Sequence, residues 1–159
     1  SNATGLSASL VAFERDHLTC LYTAPGPSIE DPAIAPGDVL PLHCTAPGKS
    51  ILASHSPATV GELLSRSDLS ACTENTQTDT EALQAELDRI RSQGWAADRE
   101  EWQLGLRCLA TSVLAPDGEL LGALCVTGTP NSLSGKRFEQ DIPGLLISSA
   151  TEIQMALGR

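Results

Sequence analysis

Basic residues are scarce. Ten Lys and Arg stand against twenty Asp and Glu, a formal charge of −10 over 159 residues. Phosphate contacts are chiefly electrostatic, so a chain of this sign is not by itself a nucleic-acid surface. No apolar run reaches the roughly 18 residues a membrane-spanning helix needs, and no signal peptide is visible. A soluble chain of the cytoplasm, with no membrane partner, is therefore expected. The five cysteines, at 20, 44, 72, 108 and 125, are odd in number and include no close C-x-x-C pair. That fits neither a disulfide framework nor a familiar zinc module. All five are expected to be reduced, with Cys20 and Cys72 acting as small apolar core residues. No internal repeat is present.

What is there is apolar surface. Hydrophobic residues make up 41% of the chain, enough for one core, and one domain is the ordinary expectation at this length. The opening Ser1-Asn2-Ala3 resembles the scar left when a purification tag is cut. Residues 4–159 are thus expected to form the domain, and residues 1–3 to be a tag remnant.

Periodicity organises the rest. Leu6 to Phe13 and Leu18 to Thr23 read as an antiparallel hairpin around a polar turn. Ala24 to Asp38 is rich in Pro and Gly and lacks a period, which predicts a loop leading into Val39-Leu40-Pro41-Leu42. Thr45 or Ala46 before Pro47 starts a helix with Ile51 and Leu52 inward, and its first-turn amides would be free for an anion. Ser56-Pro57 starts a second helix, through Leu64. Thr78-Asp79-Thr80-Glu81 resembles a capping box ahead of Leu83, Leu87 and Ile90, with Gly94 as the stop. Leu106 to Leu114 and Leu120 to Thr127 flank Ala115-Pro116-Asp117-Gly118-Glu119, a hairpin signal, and are expected to be central strands. Phe138, Ile142, Leu145, Leu146, Ser149, Ile153 and Leu157 mark one side of a closing helix whose first turn Pro143 disturbs. Together these predict an α+β domain with an antiparallel sheet covered by helices.

Few residues point to chemistry. Pro47-Gly48-Lys49-Ser50 resembles a phosphate loop, but the earlier glycine of G-x-x-x-x-G-K-[ST] is missing, His43 standing there. Gly48 is then expected to permit close approach of backbone and ligand, and Lys49 to project to solvent or pair with an acid. His43-Cys44 on a strand would point to opposite faces, with no His or Cys partner near in sequence, so no metal site is expected. His43 is read instead as shaping a pocket entrance or an assembly surface. Asp98 either faces a ligand or caps a turn. Glu100 and Glu101 are expected to hold their loop. Trp95 and Trp102 either close a pocket or bury apolar area. A thiol nucleophile at Cys108 or Cys125 would need His43 or His55 beside it, and no spacing places one there, so no catalytic residue is expected.

Three blocks carry a family resemblance: Leu40-Pro41-Leu42-His43-Cys44-Thr45-Ala46-Pro47-Gly48-Lys49-Ser50-Ile51-Leu52-Ala53, Gly94 through Ala110, and Asp117-Gly118 through Leu124-Cys125-Val126-Thr127-Gly128. On these the chain resembles the C-terminal effector-binding domain of IclR-family transcription regulators. The resemblance implies a GAF-like fold, a small-molecule effector, no cofactor, and a homodimer or homotetramer. It also implies operator DNA bound through an N-terminal winged helix-turn-helix domain that this chain does not contain. It places the ligand-binding positions at Ala46, Gly48, Asp98, Cys108, Cys125 and Thr127. Cys108 follows Leu106-Arg107 as in members of the glyoxylate and allantoin type. Where those members have Ser-x-Ser, this chain has Cys125-Val126-Thr127. A thiol is a weak donor, so one strong partner for a small carboxylate is replaced. A small oxoacid is the first ligand class this resemblance suggests, an aromatic acid the next; a ligand-free dimerisation module and a thiol enzyme are the alternatives.

Overall fold

The computed structural model describes residues 5–27 and 33–159. Six strands form one antiparallel sheet: β1 (Ser7–Glu14), β2 (His17–Ala24), β3 (Val39–Leu40), β4 (Ala96–Arg99), β5 (Arg107–Leu114) and β6 (Leu120–Gly128). They lie side by side in the order β3-β2-β1-β6-β5-β4, so β1 and β6 form the middle and β5 is an inner strand, as the two apolar runs predict. Arg15 and Asp16 take positive φ of 51° and 64°. Two left-handed residues make the tight turn whose twist matches flanking strands, and they join β1 to β2 with Glu14 opposite His17.

The helices start where their caps are. Helix α1 (Ala46–Ala53) is capped by Thr45, whose hydroxyl accepts from the Gly48 amide, with Pro47 in its first turn. Helix α2 (Pro57–Ser65) is capped by Ser56, which accepts from the Thr59 amide. Helix α3 (Thr80–Gln93) begins one residue later than a Thr78 capping box would have it. Asp79 is the cap, accepting from the Glu81 and Ala82 amides; a carboxylate there also complements the positive helix end. Gly94, at φ 87°, stops α3 in the left-handed conformation. A π-helical turn at Arg137–Asp141 leads into α4 (Ile142–Leu157). It absorbs Pro143, which has no amide to offer the preceding turn.

Two cores lie on opposite faces of the sheet. Helices α1, α2 and α3 cover the face bearing Val11, Cys20, Ala96, Cys108, Ala110, Ala123 and Cys125. Phe138, Ile142 and Leu146 cover the face bearing Ala97, Leu109 and Val126. The closing helix buries a narrower strip than its apolar pattern suggests: Ile142, Pro143, Leu146 and Ala150 are buried, whereas Leu145 and Leu157 are exposed. Part of the 24–38 loop falls outside the described residues. At its far end, Cys20 and residues 37–38 exchange two backbone hydrogen bonds, which tie the returning chain to β2. No described helix is long and apolar enough to cross a membrane.

Candidate functional site

Opposed residues of an antiparallel sheet share a face, so the register assembles the site. Asp98 is opposite Cys108, Cys108 opposite Thr127, and Thr127 opposite Ser7. Two residues along, the next row on that face runs Ala96, Ala110, Cys125, Ser9 and Thr23. Asp98, Cys108, Cys125 and Thr127, up to 29 residues apart in the chain, thus become neighbours beneath α1. Asp98, Cys108, Cys125 and Thr127 are each at most 5% exposed. Ser7 and Ser9 are as deeply buried, and they escaped sequence reasoning because both sit in a strand whose apolar alternation suggested ordinary packing. The signal was the period itself: Ser7 and Ser9 occupy the inward positions that Val11 continues.

These polar groups are only partly satisfied by one another. Thr127 donates to the Cys108 sulfur at 3.6 Å, a weak acceptor. The Ser9 and Thr23 hydroxyls meet at 2.9 Å, and Thr23 donates to the Ile34 carbonyl at 2.7 Å. The Gly26 amide donates to Ser7 at 3.1 Å. Both ends of the 24–38 segment are therefore fastened to the polar rows. The neighbouring Cys125 thiol and burial both push the Cys108 thiol well above its ordinary range, which keeps it a neutral wall and not a nucleophile. His43 lies beside Cys44 and Cys72, and His55 is occupied by the Ile51 carbonyl and the edge of Phe13.

Asp98 does cap a turn: its Oδ1 accepts from the Glu101 amide at 2.7 Å. Burial nevertheless pushes its carboxyl up to about 7, against the lowering by that hydrogen bond. At neutral pH the group is divided between acceptor-only carboxylate and a carboxylic acid able to donate. Glu100, at φ 59°, and Glu101 hold the loop, as their positions predict. Glu100 accepts from the Gly105 amide, and Glu101 from the Arg99 amide.

Lys49 does not reach solvent. Its ammonium is fully buried, 2.6 Å from Glu86 and 2.9 Å from Glu101. Burial alone would pull it down, but Glu101 and Glu86 outweigh burial and raise it above its ordinary value. This ion triad joins α1, α3 and the acidic loop. The close approach permitted by Gly48 is to backbone: an added Cβ would stand 2.6 Å from the Leu42 Cα and the Pro41 and Leu42 carbonyl oxygens. Its amide is taken by Thr45, so the first turn of α1 offers one donor fewer than an open helix end. Trp102 packs against the α1–α3 core and Trp95 against the opposite one.

His43 and Cys44 lie in a bend and not on a strand, so strand alternation does not separate them. The chain returns Cys72 to the pair, with the Cys44 and Cys72 sulfurs 3.6 Å apart. Cys72 is exposed, unlike the core residue its type suggests. Sizeable hollows lie off the polar rows, the most capacious among the described residues, of about 670 Å³, beside the end of α1 at Ser54, His55 and Arg91. One of about 620 Å³ is lined by Arg15, Leu40, His43, Ser70 and Cys72 among others. Another, of about 480 Å³ and mostly apolar, lies between α4 and the sheet.

Comparison with known proteins gives a consistent result. The profile of the bacterial transcriptional regulator IclR C-terminal family matches residues 1–155. The chain is 29% identical over 150 residues to the Pca regulon regulatory protein of Pseudomonas putida, covering 92% of this chain and 51% of that protein. It is 33% identical over 122 residues to the transcriptional repressor IclR of Escherichia coli (strain K12), covering 77% and 44%. The chain therefore spans about half the length of the curated relatives it matches. Among solved structures, the Thermotoga maritima IclR superposes with a TM-score of 0.91 at 26% identity, over 99% of this chain and 64% of that one. The inducer-binding domain of PobR from Acinetobacter, a double mutant in complex with 3-hydroxybenzoic acid, gives a TM-score of 0.84 at 25% identity, over 96% and 90%.

Proposed function

The chain belongs to the IclR C-terminal family of bacterial transcriptional regulators, and from that membership and the buried polar rows we propose that residues 4–159 are a domain that binds a small acidic effector on the helix-covered face of its sheet. The observation that carries this reading is the row Asp98, Cys108, Thr127 and Ser7, four polar side chains inside a core joined to one another by a single weak bond, from Thr127 to the Cys108 sulfur. Buried polar groups cost free energy unless partners satisfy them. A ligand carboxylate would offer the Thr127 hydroxyl a stronger acceptor than the Cys108 sulfur it now meets, and would accept from Asp98 in its protonated form. Cys108 and Cys125 form the walls, Ala46 closes the space from the start of α1, and Gly48 sets how closely that start seats.

A small 2-oxoacid or an aromatic acid fits this donor set. In the full-length regulator, operator DNA is bound by a winged helix-turn-helix domain preceding this one, in a dimer or tetramer. The effector shifts that assembly only as far as its affinity differs between the two states. The domain has no catalytic role.

A thermal-shift screen against 2-oxoacids, dicarboxylates and aromatic acids tests the reading, because a ligand that binds only the native state stabilises it. Calorimetry on a hit then compares Thr127→Val. Losing a hydrogen bond to a charged group costs about 1.5–3 kcal/mol, so affinity is expected to fall at least about tenfold. Unchanged affinity in that variant would remove the sheet row from the site. No stabilisation by any acid would favour a ligand-free assembly module.

A further inference from the structure

Outside the polar rows, one cluster among the described residues has the composition and spacing of a metal centre. One ring nitrogen of His43 and the sulfurs of Cys44 and Cys72 lie within 4.8 Å of one another. We propose that these three residues bind a single thiophilic divalent cation, zinc in its coordination preferences, with the fourth position open to the adjoining hollow. Nothing in the effector reading requires this site.

Geometry is the first argument. Zinc–thiolate bonds of about 2.3 Å in a tetrahedron set the two sulfurs about 3.8 Å apart. The Cys44 and Cys72 sulfurs stand 3.6 Å apart without a bond between them. A two-sulfur, one-nitrogen set selects zinc over hard cations, which take oxygen ligands.

The imidazole is prepared for ligation. His43 Nε2 lies 2.9 Å from the Ser70 carbonyl, and a carbonyl only accepts, so that nitrogen carries the proton. Nδ1 then keeps its lone pair, and it has no hydrogen-bond partner among the described residues although the residue is only 2% exposed. A ring N–H held by a backbone carbonyl is the usual outer-shell support of a metal-bound histidine. Cys72 is also held in place: its amide donates to the Thr76 hydroxyl at 3.0 Å, and Thr76 donates to the Glu101 carbonyl at 2.6 Å.

Access and charge both suit a cation. The hollow of about 620 Å³ is lined by His43 and Cys72 and opens to solvent, which gives an entry path and room for a water as fourth ligand. Binding a divalent ion displaces the two thiol protons into solvent. The product, one M²⁺ with two thiolates and a neutral imidazole, carries no net charge, so no uncompensated charge is left in the core. Its effect would be to clamp the 70–76 segment to the N-cap of α1.

Cobalt(II) substitution is the test, on the reduced, metal-free chain titrated under a phosphine reductant. Expected are thiolate charge-transfer and tetrahedral d–d absorption that saturate at one cobalt per chain and are displaced by zinc. Both signals should vanish in Cys72→Ser, whose exposed position leaves folding intact, and persist in Cys20→Ala. Absence of tetrahedral bands in the reduced wild type would overturn the proposal, as would bands unchanged in Cys72→Ser. Loss of the two thiols to a disulfide in air, with no cobalt uptake after reduction, would overturn it too.

Discussion

Replacing Asp98 by Asn makes the chain more stable, and more so the higher the pH. The carboxyl ionises in the unfolded chain near its ordinary value of 3.8 but in the folded one only at about 7. The native state therefore holds the proton more tightly, and stability falls as pH rises between those two values. About three pKa units at about 1.36 kcal/mol each make roughly 4 kcal/mol in full. Some of that loss is already present near pH 5, so from about pH 5 to about pH 8 the parent loses roughly 2–3 kcal/mol that the Asn variant does not. Asn keeps an oxygen to accept from the Glu101 amide, the contact Asp98 makes at 2.7 Å, so the turn survives the change. Urea denaturation of both proteins at the two pH values reads the difference directly. A stability gap independent of pH, or an Asn variant weaker at high pH, would show that burial does not hold this carboxyl protonated.

Two further outcomes follow from the α1 contacts. Lys49→Met strands Glu101, whose side chain is 10% exposed, without its cation, whereas Glu86 at 22% can turn to water. Breaking a buried pair from one side costs about 3–5 kcal/mol, so thermal unfolding should drop by roughly 6–20 °C; a loss under about 1 kcal/mol would mean that water already solvates the triad. Gly48→Ala places a methyl group against the Leu42 backbone at 2.6 Å, which cannot swing aside as a side chain would. It should cost at least about 2 kcal/mol in denaturant unfolding, and a neutral result would show that α1 and the 41–42 segment slide freely.

Much of the fold was legible because it is local. The Arg15-Asp16 turn, the Ser56 cap and the Gly94 stop each act within a few residues of themselves. The Thr78 box failed by one residue, because Asp79 offers a charged cap where Thr78 offers a neutral one. Features set by distant segments were not legible. Lys49 meets Glu101 across 52 positions, and Cys44 meets Cys72 across 28; no window along the chain contains both partners. The α4 strip was overdrawn because apolar period marks what can be buried, and Leu145 and Leu157 remain exposed in the monomer. At the candidate site, family resemblance supplied Ala46, Gly48, Asp98, Cys108, Cys125 and Thr127. Strand register then added Ser7 and Ser9, and the close approach of the Leu42 and Pro41 backbone showed that the missing side chain of Gly48 serves the main chain.

Helix α1 has no solvent face: all eight of its residues, Ala46 to Ala53, are buried. Such a rod has no tolerant side on which to accumulate change. A domain of this build that came to recognise a new acid would have to vary the strand positions facing the rod, 98, 108, 125 and 127, while the rod itself stayed fixed as the ruler against which the altered wall is measured.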